Sequence, residues 1–196
     1  MNLDHWILAF LWILYFVIHS LLAATQVKLL FESLVGKFFM HYRLAYNIIA
    51  TVTLLLILYF QYSFSSPVLI KLSILKYVAF IIFVCPGLII MMASTIKYFK
   101  LLSGIHSTSK TTIPSELKLN GIHKYVRHPL YFGTLLFIWG LFFIFPMLNN
   151  LISVFGITIY VLIGLRFEEK KLIMEFGESY KGYRRKIPAL FPRFKK

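Results

Sequence analysis

Arg127-His128-Pro129-Leu130-Tyr131 opens an apolar run that continues to Phe145. Pro146-Met147 turns the chain, a second apolar run leads from Leu148 to about Leu165, and Glu168-Glu169 follows. This stretch decides the fold. A helix of about seventeen residues covers about 25 Å at 1.5 Å per residue, enough to cross a thin hydrocarbon core once. The turn between the two runs is very short, so the second helix returns the chain to the side the first one left. Arg127-His128 and Glu168-Glu169 are therefore expected at one membrane face, on adjacent helices. A cation, an imidazole, a phenol and two carboxylates gathered there describe a polar site rather than a plain anchor.

The rest of the chain fits that frame. Hydrophobic residues make up 59% of it and charged residues 14%, against roughly 25% charged in soluble domains; the mean hydropathy is +0.78. Three further spans are expected: His5 to Ala24, Tyr42 to Tyr62, and Leu69 to Tyr98 with a kink at Pro86-Gly87. The fold class is thus an all-α integral membrane protein, a bundle of about five transmembrane helices. Residues 1–100 form three N-terminal spans; residues 101–196 form a second half of loop, helical hairpin and tail. The fifth helix is expected to run on as a surface helix to Phe176 and to stop at Gly177. The loop Ser103–Asn120 is polar and reads as a lid or a connector. The first apolar run has only Asp4 ahead of it and no clear small-x-small cleavage site, so it reads as a retained helix.

The net charge of +14 is explained by topology before nucleic acid, because Lys and Arg collect on the cytoplasmic side. No Lys or Arg precedes the first span; Lys28, Lys37 and Arg43 follow it. Lys97, Lys100, Lys110, Lys118, Lys124 and Arg127 follow the third span, none stands in the turn at Pro146–Asn150, and ten follow from Arg166 onward. The N-terminus is therefore expected outside and the C-terminus in the cytoplasm. Lys71 and Lys76 dissent and are expected to snorkel to the outer interface. The expected partners are the lipid bilayer and a small-molecule or lipid acceptor. Neither nucleic acid nor an obligate protein partner is expected.

Pro129 suits the first helical turn, where its missing N–H costs nothing. The positive end of that helix, together with Arg127, forms a seat for a carboxylate or phosphate. Tyr131 shares the helix face of Arg127 and His128; the plainer alternative makes Arg127 and Tyr131 interfacial anchors. Glu168 and Glu169 are two of only seven acidic residues, and near a helix C-terminal end they oppose its dipole. They either pair locally, Glu168 with Lys171 and Glu169 with Arg166, or accept hydrogen bonds from a bound cofactor. His19, Arg43 and Asn47 are polar groups near the inner ends of the first two spans, which either line a substrate cavity or bond between helices. His106, His123 and His128 match no metal-ligand spacing, so no metal is expected. The single Cys85 reads as a packing residue.

Gly121-Ile122-His123-Lys124-Tyr125-Val126-Arg127-His128-Pro129-Leu130-Tyr131, then Glu168-Glu169-Lys170-Lys171-Leu172, then Phe176-Gly177 with Tyr180, Tyr183 and Pro188, resembles the isoprenylcysteine carboxyl methyltransferase superfamily, which includes the phospholipid N-methyltransferases. The resemblance covers roughly the last 80 residues. His19-Ser20-Leu21-Leu22-Ala23 and Tyr42-Arg43-Leu44-Ala45-Tyr46-Asn47 are similar to small bacterial relatives, the membrane methanethiol S-methyltransferases and NnrU-like proteins. The resemblance implies a methyltransferase of the bacterial inner membrane, its active site facing the cytoplasm and holding S-adenosylmethionine. It implies that Gly121, Arg127, His128 and Tyr131 contact the cofactor from one side, that Glu168 and Glu169 reach it from the other, and that Tyr180 and Tyr183 cover it. Arg127, His128 and Glu169 are the implied catalytic residues. The family usually has Tyr where this chain has His123, which leaves the role of that residue open.

Two other readings share these residues. Membrane sterol reductases carry a similar Arg-His-Pro-x-Tyr hairpin and use NADPH, but usually have Asn where this chain has Leu130. An NnrU-like protein would be non-catalytic and would tolerate loss of Glu168 and Glu169. The acceptor, whether a small thiol, an isoprenylcysteine-like group or a lipid, is not written in the sequence.

Overall fold

The computed structural model describes residues 2–71, 74–96 and 121–192. The loop Ser103–Asn120, with His106, lies outside the described residues. The architecture is helical throughout, with no β-strand among the described residues, only an isolated bridge between Val68 and Met147.

In chain order, α1 is Leu3–Ala23, α2 is Thr25–Val35, a 3-10 turn spans Gly36–His41, and α3 is Tyr42–Ser63. Then come α4 at Leu75–Ala79, a π-turn at Phe80–Val84 and α5 at Cys85–Ile96. A second 3-10 turn spans Gly121–Lys124, α6 is Pro129–Ile144 and α7 is Leu148–Lys186. Among the described residues, four helices are long and apolar enough to cross a membrane: Leu3–Ala23, Phe39–Ser63, Lys76–Ile96 and the long α7; Pro129–Ile144 is a shorter apolar helix. Large apolar side chains such as Trp6, Phe10, Ile13 and Val17 face outward along α1, as a lipid-bathed helix requires.

One expectation needs correction. The stretch after the first span is not a plain loop: α2 and the 3-10 turn fill it, and Thr25–Val35 is rich in good helix formers such as Gln26, Lys28, Leu29, Leu30 and Glu32. The fifth helix breaks at Gly177, as the sequence leads one to expect, and a second helical piece follows that the sequence did not announce. That glycine takes φ 54°, ψ −129°, a conformation closed to side chains with a Cβ, and helix resumes beyond it to Lys186. Within the third span, the irregularity precedes Pro86: the π-turn at Phe80–Val84 accommodates a proline that cannot donate to the helical ladder.

The residues form two compact units. The first comprises residues 2–70 and Pro146–Gly156. Its interior is polar at one end. His5 Nε2 lies 3.0 Å from Ser66 Oγ, which accepts from the Asn149 backbone N–H at 3.0 Å. Asn149 Nδ2 donates to the Gln61 carbonyl at 2.8 Å, Gln61 Nε2 to Asn150 Oδ1 at 2.6 Å, and Trp12 Nε1 to Ser153 Oγ at 2.7 Å. All of these residues but the half-buried Ser66 are buried. The network ties α1, α3 and the start of α7 by hydrogen bonds, the currency available to helices in lipid. Leu69 N–H to the Pro146 carbonyl (2.7 Å) and Leu148 N–H to the Pro67 carbonyl (3.1 Å) pin the short turn before α7.

The second unit holds the described parts of residues 71–97, 111–145 and 157–196. Here the π-turn and α5 pack on α6 through glycines. A Cβ on Gly87 would stand 2.7 Å from the Phe137 backbone nitrogen, and one on Gly140 would stand 2.7 Å from Val84 Cγ2. Only glycine permits that approach, the small-residue packing that dispersion favours between membrane helices.

Candidate functional site

His128 is the N-cap of α6 and Pro129 its first residue, so the segment ahead of the helix must turn sharply. Gly121 begins that segment with φ 70°. The tail then closes over it: Arg127 N–H donates to the Pro188 carbonyl at 2.9 Å and His128 N–H to the Ala189 carbonyl at 3.0 Å. Tyr183 Oη donates to the His123 carbonyl at 2.6 Å, and His123 Nδ1 lies 3.2 Å from the Arg127 carbonyl. His123 therefore stiffens the turn.

Glu169 is the hub. Its Oε1 accepts from Arg127 Nε at 2.8 Å, from His128 Nε2 at 3.0 Å and from Tyr180 Oη at 2.9 Å; its Oε2 pairs with Arg184 Nε at 3.1 Å. The residue is 6% exposed. A buried carboxylate persists only when so paired. Burial opposes its charge, but the bonds from Arg127, His128 and Tyr180 win and hold its carboxyl below the ordinary 4.5.

Glu168 differs. Its side chain is 44% exposed, with Oε2 3.6 Å from His128 Nδ1, and the Tyr131 hydroxyl hydrogen-bonds to it. Burial again opposes ionisation, and the neighbouring His128 and Tyr131 outweigh it, so this carboxyl too lies below 4.5. His128 stands between the two carboxylates. Burial disfavours its charge, yet Glu168 and Glu169 together raise its pKa above 6.5. Its ring stacks on Tyr131 at 5.6 Å and 14°. Tyr180 and Tyr183 meet edge to face. Burial, with Glu169 close by, pushes the Tyr180 phenol well above its ordinary range, and burial pushes Tyr183 up to about 12, so both remain protonated donors.

The structure thus brings Arg127, His128, Tyr131, Glu168, Glu169 and Tyr180 into one cluster, with Tyr183 beside it. Gly121 heads the turn without a hydrogen bond to the carboxylates among the described residues. The local pairs Glu168–Lys171 and Glu169–Arg166 do not form; both glutamates turn to partners distant in sequence. Arg184 and the carbonyls of residues 187–189 are members that sequence reasoning missed. Their register depends on the break at Gly177, which no helical periodicity crosses. His19, Arg43 and Asn47 belong to the first unit. There His19 Nε2 lies 2.8 Å from Tyr46 Oη, on the wall of an apolar cavity of about 190 Å³ between α1 and α3.

Residues 75–179, more than half of the chain, match the family model described as phospholipid methyltransferase. The chain belongs to this methyltransferase family. It is 29% identical over 182 residues to methanethiol S-methyltransferase of Crocosphaera subtropica, covering 89% of this chain and 69% of that one. It is 43% identical over 74 residues to methanethiol S-methyltransferase 2 of Bradyrhizobium diazoefficiens, covering 37% of this chain and 27% of that relative. Protein-S-isoprenylcysteine O-methyltransferase of Schizosaccharomyces pombe is 38% identical over 88 residues, 43% of this chain and 36% of the relative. The chain thus spans well under half the length of the last two relatives and about two thirds of the first. No solved structure matches it. With its apolar helices and such relatives, this member of the family is a multi-pass membrane protein.

Proposed function

We propose that this chain transfers a methyl group from S-adenosylmethionine to a small thiol at the cytoplasmic face of a bacterial inner membrane. The observation that carries the reading is the asymmetry of the two carboxylates. Glu169 is consumed inside the protein, whereas Glu168 is ionised, partly open and flanked by the stacked His128 and Tyr131 rings.

The residues fit the cofactor. An open carboxylate suits its ammonium group or its ribose hydroxyls, aromatic faces favour a methylated cation, and the N-terminus of α6 favours its carboxylate. Glu168, Tyr131, His128 and Gly121 would hold it, with Tyr180 and Tyr183 as cover. The cofactor, when bound, supplies an electrophilic methyl group. An acceptor thiol would have to be held in line with that methyl group, so positioning is most of what the protein would provide. The proton of a thiol leaves to Glu168 or to water. His128, held between two carboxylates that favour its charged form, is assigned an orienting role. A thiol acceptor is favoured by the methanethiol methyltransferase that aligns with 89% of this chain. The lysine and arginine distribution supports five crossings with the N-terminus outside and the site in the cytoplasm.

Calorimetry on the detergent-solubilised protein tests this. Saturable binding of S-adenosylmethionine is expected, weakened at least tenfold, about 1.4 kcal/mol, by Glu168→Gln or Glu169→Ala. Labelled-methyl transfer is then screened over thiols, isoprenylcysteines and phospholipids. Saturable NADPH binding in place of the sulfonium compound would establish a reductase. Binding of neither would leave the non-catalytic reading.

A further inference from the structure

We infer that Arg127 is a positioning residue, which clamps the C-terminal segment onto the site and acts on a ligand only through Glu169. The inference rests on the reading of this site as the cofactor site and assigns the arginine a role other than anion seat. Its side chain is 7% exposed. Nε–H goes to Glu169, and Nη1 donates to the carbonyls of Arg184 and Ile187. Nη1 carries only two protons, so both are spent. The two carbonyls belong to the end of α7, where acceptors lack helical partners and a cation meets the negative end of the dipole.

The backbone repeats the clamp. The N–H groups of Arg127 and His128 take the carbonyls of Pro188 and Ala189; Leu190 is buried and Phe191 meets Phe132 edge to face at 5.8 Å. Three of the five guanidinium donors are thus spent on Glu169 and the tail, and the two Nη2 protons that remain belong to a side chain only 7% exposed. The route to the ligand therefore runs from Arg127 to Glu169, from Glu169 to His128 Nε2, and from the oriented imidazole to its open neighbours Tyr131 and Glu168.

The test compares Arg127→Gln with the unaltered full chain in detergent. Binding of S-adenosylmethionine and of its decarboxylated analogue is measured together with backbone hydrogen exchange of residues 187–191. If Arg127 positions, the variant weakens both ligands by the same factor, tenfold or more, and exchange in the tail accelerates. The acid limb of the binding profile also moves to higher pH, because Glu169 loses a cation and keeps His128, Tyr180 and Arg184, with Glu168 nearby. A merely structural loss scales the profile without moving that limb. Weakened binding of S-adenosylmethionine with unchanged binding of the analogue would overturn the inference, as would unaltered tail exchange. If Arg127→Gln does not fold, Arg127→Lys, which keeps the charge and loses the fork, is read by the same criteria. If the unaltered protein binds neither ligand, the cofactor reading fails, while the exchange comparison still decides the clamp.

Discussion

His128 Nε2 lies 3.0 Å from Glu169 Oε1, although 41 residues separate them. The bond makes the imidazole part of an ionic cluster that titrates at both ends.

Stability should therefore have two limbs. The raised pKa of His128 contributes stability that is fully present below 6.5 and lost as pH rises through the higher folded value. The lowered pKa values of Glu168 and Glu169 contribute stability present above 4.5 and lost as pH falls through their folded values. Thermal unfolding in detergent should show the alkaline limb in the unaltered protein and lack it in His128→Asn. An unchanged limb in that variant would refute the assignment.

Gly177 holds φ 54°, ψ −129°, and a Cβ there would meet no neighbour within 4 Å. Gly177→Ala should thus cost backbone strain alone, about 1–3 kcal/mol. Because Tyr180, Tyr183 and Arg184 all follow the break, ligand affinity should fall with stability. A variant as stable as the parent, with unchanged affinity, would show that the break is dispensable.

Gln61 is 3% exposed and joins α3 to the start of α7. Gln61→Leu leaves the Asn150 and Ser153 side chains without these bonds and should destabilise by about 1–3 kcal/mol. Trp12→Phe removes one indole donor and should cost about 0.6 kcal/mol, the average for hydrogen bonds between membrane helices. Denaturation in mixed micelles measures both, and the order of the two costs is the point to check.

Topology is open to direct labelling. In a Cys85→Ala background, Ser65→Cys lies in the exposed segment after α3 and Lys181→Cys on the exposed face of the last helical piece. A membrane-impermeant thiol reagent added to intact cells should label the first and spare the second. The reverse pattern would invert the proposed orientation.

The spans and the meeting of Arg127-His128 with Glu168-Glu169 were legible because both follow from helical rise and a short turn. Which carboxylate is buried was not. Adjacent residues on a helix point about 100° apart, and only packing decides that Glu169 turns inward while Glu168 stays partly open. Arg184 escaped notice because Gly177 resets the register of everything after it. The helix at Thr25–Val35 escaped because it is too short to span a bilayer, the length against which apolar runs were measured.

The carbonyl of Ile187 is synthesised sixty residues after the arginine that donates to it. On the ribosome, the membrane helices are therefore complete while the site still lacks its final wall. A chain whose translation stops before Ile187 would hold every residue of the Arg-His-Pro stretch and both glutamates, yet lack the carbonyls of residues 187–189 to which Arg127 and His128 donate. The site is thus fastened by a segment that emerges only after both of its glutamates, so its assembly waits on sequence distant from its charged groups.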